Sequence, residues 1–153
     1  MAENSIEIRE SALTDEVLSV LIEMSKAWQA ESVTHGYFAN TRADIEGNRI
    51  FLAYDGWEVV GYLFGHEEKA ERDTTVMAAG TPYFEVMELY VKPERRSRGI
   101  GQRLMAVVEE AVRGGAEFIV LSTATKNARA ILHFYIDEVG MEFWSARLFK
   151  KID

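Results

Sequence analysis

A glycine-containing turn between a strand pattern and a helix pattern constrains this chain more than any other feature. Residues 84–91 read as a strand, and from Ile100 onward apolar side chains recur at helical spacing. The sequence RSRGIG at 96–101 joins the two. Glycine lets a ligand approach the backbone, and the N–H groups at a helix N-terminus favour an anion. The pattern therefore predicts a phosphate-binding turn.

Size and composition set further limits. The 153 residues are 48% hydrophobic, which is enough for one domain over 1–153 with its own core. There is no cysteine and the three histidines are scattered, so we expect neither disulfides nor a metal. No run is apolar enough to predict a membrane span, and the polar start lacks a signal-peptide pattern. We therefore expect a cytoplasmic protein.

Charge is unevenly distributed. The chain carries −8, but residues 92–103 hold five basic side chains and one acidic one, a local +4 that leaves −12 elsewhere. A solvated helix start is one explanation, but cations there oppose the helix dipole, and this favours an anionic ligand. Nucleic acid would need a broader basic face, so we expect none. The acidic remainder favours a cationic substrate.

Strand and helix patterns alternate along the chain. Two strand runs at 49–54 and 57–64 flank Asp55-Gly56, which predicts a tight antiparallel hairpin. Further strands are predicted at 6–9, 84–91, 117–122 and 142–149, and helices at 13–28, within 31–47, at 100–111 and at 127–139. This order predicts a mixed α/β sheet.

Nucleotide-binding motifs do not fit the turn. A dinucleotide fingerprint would need glycine where Leu104 stands, and neither a P-loop nor a hydrolase motif occurs. The pattern that does fit is R-x-x-G-x-G directly after a strand ending in LYVKP at 89–93. With these residues the chain resembles the GNAT superfamily of acetyl-CoA-dependent N-acetyltransferases, over nearly its whole length.

The resemblance implies a fold and a coenzyme site. The fold would be a mixed, mostly antiparallel central sheet of six to seven strands flanked by about four helices. It would be splayed between the strand ending at Val91 and the strand at 117–122. The coenzyme pyrophosphate would bind the turn, mainly through backbone N–H groups, at Arg96, Arg98, Gly99, Ile100 and Gly101. The pantetheine arm would pair with Leu89 and Val91, and the Leu89 N–H would meet the thioester carbonyl, where such a donor lowers the barrier by about 3 kcal/mol.

A second family signature lies at the following helix. The resemblance implies that Asn127 contributes to the coenzyme site and that Tyr135 protonates the departing thiolate. Family members commonly place the tyrosine seven residues after the asparagine, where this chain has Phe134. A one-residue bulge would restore Tyr135 to that place, whereas in a regular helix it would point about 100° away. Tyr135 would then be a partly buried aromatic residue with a solvated hydroxyl.

Two carboxylates on the central strand are candidates for the base that deprotonates an alkylammonium acceptor. They are Glu85, which matches the catalytic glutamate of the family's histone-acetylating branch, and Glu88. On a regular strand they lie on opposite faces, so at most one would face the substrate. A water relay without a dedicated base is the alternative.

The predicted function is acetyl transfer from acetyl-CoA to a primary amine of a small cationic molecule or peptide, by direct attack in a ternary complex. Aromatic residues that could line the acceptor site are Trp28, Tyr37, Phe38 and Tyr83. One alternative is a non-catalytic acyl-CoA-binding regulator. Another is an interaction module whose last strand, at 142–149, pairs sheets in a homodimer, and such a homodimer could also accompany the enzyme.

Overall fold

The computed structural model describes residues 5–152, which form one open five-stranded sheet in the order β1-β2-β3-β4-β5. The strands are β1 (Ile6–Ser11), β2 (Arg49–Asp55), β3 (Glu58–Lys69), β4 (Pro82–Val91) and β5 (Phe118–Leu121). β1 to β4 pair antiparallel, whereas β5 runs parallel to β4. The sheet is therefore mixed and mostly antiparallel, as predicted.

Helices cover both faces of this sheet. They are α1 (Asp15–Glu31), α2 (Arg42–Ile45), α3 (Ile100–Val112) and α4 (Ala128–Leu132), and α4 continues directly into a π-helical turn (His133–Glu138). Thr14 caps α1, because its hydroxyl accepts the Val17 N–H at 3.2 Å. Among the described residues, no helix is both long and apolar enough to cross a membrane.

The core has two layers, one on each face of the sheet. On one face α1 and α2 bury an apolar cluster that includes Leu21, Ile45 and Phe64. On the other face α3 buries a second cluster that includes Phe84 and Leu104. Burial on both faces explains why β2 and β3 are apolar along most of their length.

The predicted hairpin is confirmed. β2 and β3 are joined by Gly56 and Trp57, and Asp55 pairs with Glu58. Gly56 has φ +62°, a left-handed conformation that glycine adopts without a steric penalty. The turn lies one residue later than the sequence pattern indicates.

An irregularity in β4 opens the sheet. Phe64 of β3 pairs with Glu88 while the next residue, Gly65, pairs with Val86, so Met87 is an extra residue on β4. The parallel pairing with β5 also ends at Val86, opposite Leu121. A bulge bends and twists its strand, so β4 leaves β5 at this point and residues 87–91 have no partner strand on that side.

The last predicted strand, at 142–149, is wrong. Residues 142–152 have no regular secondary structure and form no hydrogen bond with any described residue. Leu148 and Phe149 are 94% and 84% exposed. Alternating side chains favour a strand, but a strand also needs a neighbouring edge for its N–H and C=O groups. The sheet therefore has five strands rather than six to seven.

Candidate functional site

The turn between β4 and α3 presents a run of unpaired backbone donors. Ser97 and Gly99 have φ of +63° and +80°, and Gly99 caps α3 without a side-chain hydrogen bond. None of the N–H groups of residues 97–102 donates a hydrogen bond within the described chain. Left-handed residues before a helix start turn successive N–H groups toward a common point. This backbone can therefore hold an anion.

Most cations near this turn already have partners. Lys92 and Arg95 pair with Glu58 at 3.0 and 3.2 Å, and Arg96 pairs with Glu31 at 2.7 Å. The local positive charge that the sequence indicates is therefore largely neutralised. Arg98 is exposed and has no hydrogen-bond partner among the described residues, so its side chain remains available to a ligand.

Arg96 ties the turn to α1. Its two terminal nitrogens donate to Glu31 at 2.7 and 3.0 Å, and its Nε donates to the Val91 carbonyl at 2.9 Å. The Tyr90 hydroxyl donates to the same carboxylate at 2.6 Å. The Arg96 side chain thus holds the two sides of the site together. The Arg96 N–H donates to the Pro93 carbonyl at 3.3 Å, so neither its side chain nor its N–H is left for the predicted phosphate contact.

The C-terminal half of β4 has an open backbone edge. The Lys92 N–H donates to the Val60 carbonyl of β3 at 2.9 Å, so alternate residues of β4 face β3. Leu89 and Val91 therefore direct their backbone groups away from β3, toward the gap that β5 leaves. The Val91 carbonyl is engaged by Arg96, whereas both N–H groups lack a partner strand. Within residues 5–152 no group of three or more acidic or histidine side chains could hold a metal ion.

The bulge that Tyr135 requires is present. Tyr135 lies in the π-helical turn, where the Val139 N–H donates to the Phe134 carbonyl five residues earlier, at 2.9 Å. Phe134 instead covers the start of α3, where a Cβ on Gly101 would lie 3.0 Å from its ring. Burial raises the pKa of Tyr135 to about 12, so its hydroxyl stays protonated in the neutral range.

Asn127 begins α4. Its side-chain oxygen accepts the Ala130 N–H at 3.5 Å, and its own N–H donates to the Thr125 hydroxyl at 3.1 Å. These contacts are those of an ordinary helix N-cap, so capping alone explains why an asparagine stands here, and no ligand is needed to explain it. Its predicted role at the coenzyme stays a prediction.

Glu88 is the centre of a polar cluster on the opposite face of the sheet from α3. Its Oε1 accepts hydrogen bonds from the Tyr62 hydroxyl at 2.8 Å, the Asn40 amide at 2.9 Å and the Tyr37 hydroxyl at 3.0 Å. Its Oε2 accepts none from the described residues. Burial raises the pKa of Glu88, and the three donors partly oppose this. The Glu88 cluster, these four residues, therefore holds a part-buried carboxylate whose second oxygen has no hydrogen-bond partner among the described residues.

The prediction that Glu85 and Glu88 lie on opposite faces is wrong. Phe64 and His66, on one face of β3, pair with Glu88 and Glu85. Met87, the extra residue of β4, reverses the alternation between the two glutamates, so both lie on the face covered by α1. Glu85 makes no hydrogen bond to a described residue, which distinguishes it from Glu88.

Sequence patterns did not indicate the partners of Glu88. Asn40 is only 8% exposed and is fixed by Ser25, whose hydroxyl accepts the Asn40 N–H at 2.9 Å. Tyr62 is fully buried and lies two residues before Phe64, the residue that pairs with Glu88. An asparagine and a serine within apolar surroundings were the available signal, because buried polar groups need partners.

A cavity of about 350 Å³ adjoins the Glu88 cluster, and we call it the Trp28 cavity. Its aromatic wall contains three of the four predicted acceptor-site residues, Trp28, Tyr37 and Phe38, but not Tyr83. The Trp28 and Tyr37 rings stack with centroids 4.2 Å apart. Since Tyr37 also donates to Glu88, the cavity and the carboxylate share this residue.

Comparison with known proteins agrees with this geometry. The sequence profile of the Acetyltransferase (GNAT) family matches residues 14–141. An aminoglycoside acetyltransferase from an uncultured soil metagenomic sample, solved with sisomicin, has a TM-score of 0.69 at 18% identity, with 100% of both chains covered. An acetyltransferase of Trypanosoma brucei has a TM-score of 0.65 at 18% identity, covering 96% of this chain and 99% of its own. No curated protein matches the sequence significantly. At these identities the two structures establish the likeness of fold.

Proposed function

The chain belongs to the acetyltransferase (GNAT) family and is an acyltransferase, and from this premise we propose that it transfers an acetyl group from acetyl-CoA to a primary amine. The observation that carries the proposal is the placement of two functional groups on consecutive residues of β4. Glu88 presents an available carboxylate oxygen on one face, and Leu89 presents an open backbone N–H at the edge. A base and an oxyanion donor are the two groups that aminolysis of a thioester needs.

The proposed reaction is a direct attack in a ternary complex. The acceptor ammonium loses its proton to Glu88 Oε2, directly or through one water, and its nitrogen attacks the thioester carbonyl carbon. The Leu89 N–H stabilises the negative charge on the carbonyl oxygen. The C–S bond then breaks as the nitrogen loses its second proton to solvent, which leaves a neutral amide. The Tyr135 hydroxyl donates a proton to the departing thiolate and regains one from solvent, and Glu88 releases the proton that it accepted.

The coenzyme would bind along the open edge of β4 and at the turn. The pantetheine arm pairs with the backbone at Leu89 and Val91, and the pyrophosphate accepts hydrogen bonds from the N–H groups of residues 97–102. These include the predicted ligands Gly99, Ile100 and Gly101. The Arg98 side chain adds a positive charge, whereas the Arg96 side chain holds α1 in place through Glu31.

The acceptor would be a small molecule or a peptide whose reacting amine arrives as a cation. The neighbouring fold solved with sisomicin supports a small-molecule amine, and the buried carboxylate of Glu88 favours an ammonium group. We treat residues 1–153 as one catalytic domain. A cytoplasmic location stays a prediction.

We further propose that two copies associate through the segment at 142–152. Within the described chain, this segment has no hydrogen-bond partner, and β5 has no neighbour on its outer edge. Phe143 and Trp144 are 58% and 48% exposed. In a two-fold symmetric dimer, the segment of each chain can pair with the open edge of β5 in the other chain, so that both sets of backbone groups gain hydrogen-bond partners.

The first experiment is calorimetric titration with acetyl-CoA, coenzyme A and ATP, followed by a screen of amines for thiol release. We expect micromolar binding of both coenzyme forms, weak binding of ATP, and acetyl-CoA-dependent thiol release with at least one amine. Binding without turnover of any amine would favour the non-catalytic regulator. No binding would contradict the proposal.

Two glycine variants locate the coenzyme site. Gly99 and Gly114, at the two ends of α3, have φ of +80° and +89°, and a Cβ at either would meet no atom within 4 Å. Gly99→Leu and Gly114→Leu therefore impose similar backbone strain. Only Gly99→Leu should abolish acetyl-CoA binding, because only that side chain enters the expected phosphate position.

A further inference from the structure

We propose that the acceptor carries an anionic group, a carboxylate or a phosphate, which binds Lys126 in the Trp28 cavity while the amine of the same molecule reaches Glu88. The inference rests on the proposed acetyl transfer and narrows its acceptor. It concerns the end of the acceptor that does not react.

The charge that lines the Trp28 cavity is basic. Of the ten described residues that line it, none carries a carboxylate, whereas Lys126 carries an ammonium group. Lys126 is exposed, and its Nζ has one hydrogen-bond partner in the described chain, the Ser32 hydroxyl at 3.3 Å. By contrast, Lys92 and Lys26 each pair with a glutamate. An ammonium group beside a cavity without a counter-ion is suited to bind an anion.

The backbone holds Lys126 at this position. Its N–H donates to the Val33 carbonyl at 2.8 Å, and the His35 N–H donates to the Ala124 carbonyl at 2.9 Å. These two bonds join the loop after β5 to the loop after α1, on either side of the cavity. Lys126 is therefore fixed by its main chain while its side chain keeps the freedom to reach a ligand.

The Trp28 cavity adjoins Glu88 through Tyr37. Tyr37 lines the cavity and its hydroxyl donates to Glu88 Oε1 at 3.0 Å. A molecule in the cavity can therefore contact Lys126 with one group and approach the Glu88 carboxylate beside Tyr37 with another. This order of charges is complementary to an amine with an anion at its far end, and it disfavours a second ammonium group there.

The net charge of −8 does not determine which charge the far end of the acceptor carries. Charges on the protein surface are screened over about 8 Å at physiological ionic strength, so the groups that line the cavity dominate. The nearest carboxylate along the chain, Glu31, does not line the cavity, because it pairs with Arg96 and accepts from Tyr90. The acidic surface can still attract amines from solution.

The test compares acceptors that share an amine and differ at the other end. The kinetic constants for 6-aminohexanoate are compared with those for hexylamine and 1,6-diaminohexane, and those for phosphoethanolamine with those for ethanolamine. Each comparison is made in the wild type, in Lys126→Gln and in Lys126→Glu. Lys69→Gln is the control, because Lys69 is an exposed lysine at the end of β3. The two anionic compounds distinguish a carboxylate site from a phosphate site.

For at least one of the two anionic acceptors, we expect the wild type to have a KM at least about tenfold lower than for the matching amines without an anion. A change of about tenfold is what the loss of one charge-assisted hydrogen bond causes. Lys126→Gln should remove this preference through KM, with kcat and the KM for acetyl-CoA unchanged, and Lys126→Glu should reverse it. A preference for the diamine, or equal KM values, would overturn the proposal. So would a raised KM for acetyl-CoA in Lys126→Gln, because Lys126 would then belong to the coenzyme site.

A binding measurement separates this inference from the proposed function. Calorimetric titration of the same amines into the coenzyme-free protein should give tighter binding of an anionic amine, lost in Lys126→Gln and kept in Lys69→Gln. If no amine is acetylated but this binding pattern holds, the proposed reaction is wrong and the anion site stands. If amines are acetylated without the pattern, the anion site is wrong and the reaction stands.

Discussion

At the residue scale, Glu88 is held by opposing effects on one carboxyl group. Burial destabilises its charged form and raises its pKa, while three donors on Oε1 stabilise that form. The donors also fix which oxygen is engaged, so Oε2 points to a defined place. A general base works best with a pKa near the working pH and a fixed direction toward its proton. Burial moves the pKa of Glu88 upward, toward that pH, and its three hydrogen bonds fix its orientation.

A pH profile tests this role. We expect kcat/KM to fall as the pH is lowered through the raised pKa of Glu88, because the protonated carboxyl cannot accept a proton. Glu88→Gln should lower kcat/KM by about a hundredfold and remove this acid limb, since general bases contribute that much or more. Tyr37→Phe removes one donor and should move the limb to higher pH. The measurement is steady-state thiol release at pH values from about 5 to about 9.

Glu85→Gln is the control for this prediction. It makes the same chemical change on the same strand and face, at a residue that has no hydrogen bond in the described chain. We expect its profile to match that of the wild type. Loss of the acid limb in Glu85→Gln rather than in Glu88→Gln would transfer the role of base to Glu85.

At the same scale, Glu88 was a candidate from its place in the strand pattern, but its environment could not be foreseen. Asn40 and Tyr37 lie 48 and 51 residues away in sequence, and only the packing of α1 and its following loop brings them together. The periodicity of hydrophobic residues along the sequence does not indicate contacts between such distant residues. Lys126 likewise becomes notable only when the cavity beside it is seen.

At the element scale, two local insertions position the site. Met87 adds a residue to β4 and turns Glu85 and Glu88 to one face, and the π-helical turn adds one residue to the turn that holds Tyr135. The sequence left the helical insertion as one of two possibilities, because the family spacing calls for a bulge but a regular helix was equally compatible with the local pattern. The strand insertion was not foreseen, because residues 84–91 read as a strand with or without an extra residue until the partner strand is known.

The π-helical turn leads to a prediction for Tyr135→Phe. The hydroxyl is protonated in the neutral range, since burial raises the pKa of Tyr135 to about 12, and its loss removes the proposed proton donor to the thiolate. We expect kcat to fall by about a hundredfold with the KM for acetyl-CoA nearly unchanged. Tyr83→Phe, which removes a hydroxyl outside the Trp28 cavity, should leave both constants near their wild-type values. An unchanged kcat in Tyr135→Phe would reduce Tyr135 to a packing role.

At the scale of the whole molecule, the local patterns established most of the fold. The hairpin, the strand-turn-helix unit around Gly99 and the helix capped by Thr14 each depend on neighbouring residues, and all three are present. The mixed, mostly antiparallel character of the sheet followed from the family resemblance. The strand prediction at 142–149 was wrong because the alternating pattern indicates that the segment can form a strand, but not which sheet edge it would join.

The unpaired segment at 142–152 gives the last prediction. Exposed apolar side chains without backbone partners favour association, and the open edge of β5 offers a template for it. We expect light scattering after size exclusion to give twice the chain mass of 17.4 kDa, and Trp144→Ser to shift the protein toward the monomer. Trp57→Ser is the matched control, because Trp57 is 100% exposed on the β2–β3 turn, away from that edge. A wild-type monomer, or dissociation by Trp57→Ser alone, would contradict association through this segment, since burial of an aromatic side chain stabilises only the interface that contains it.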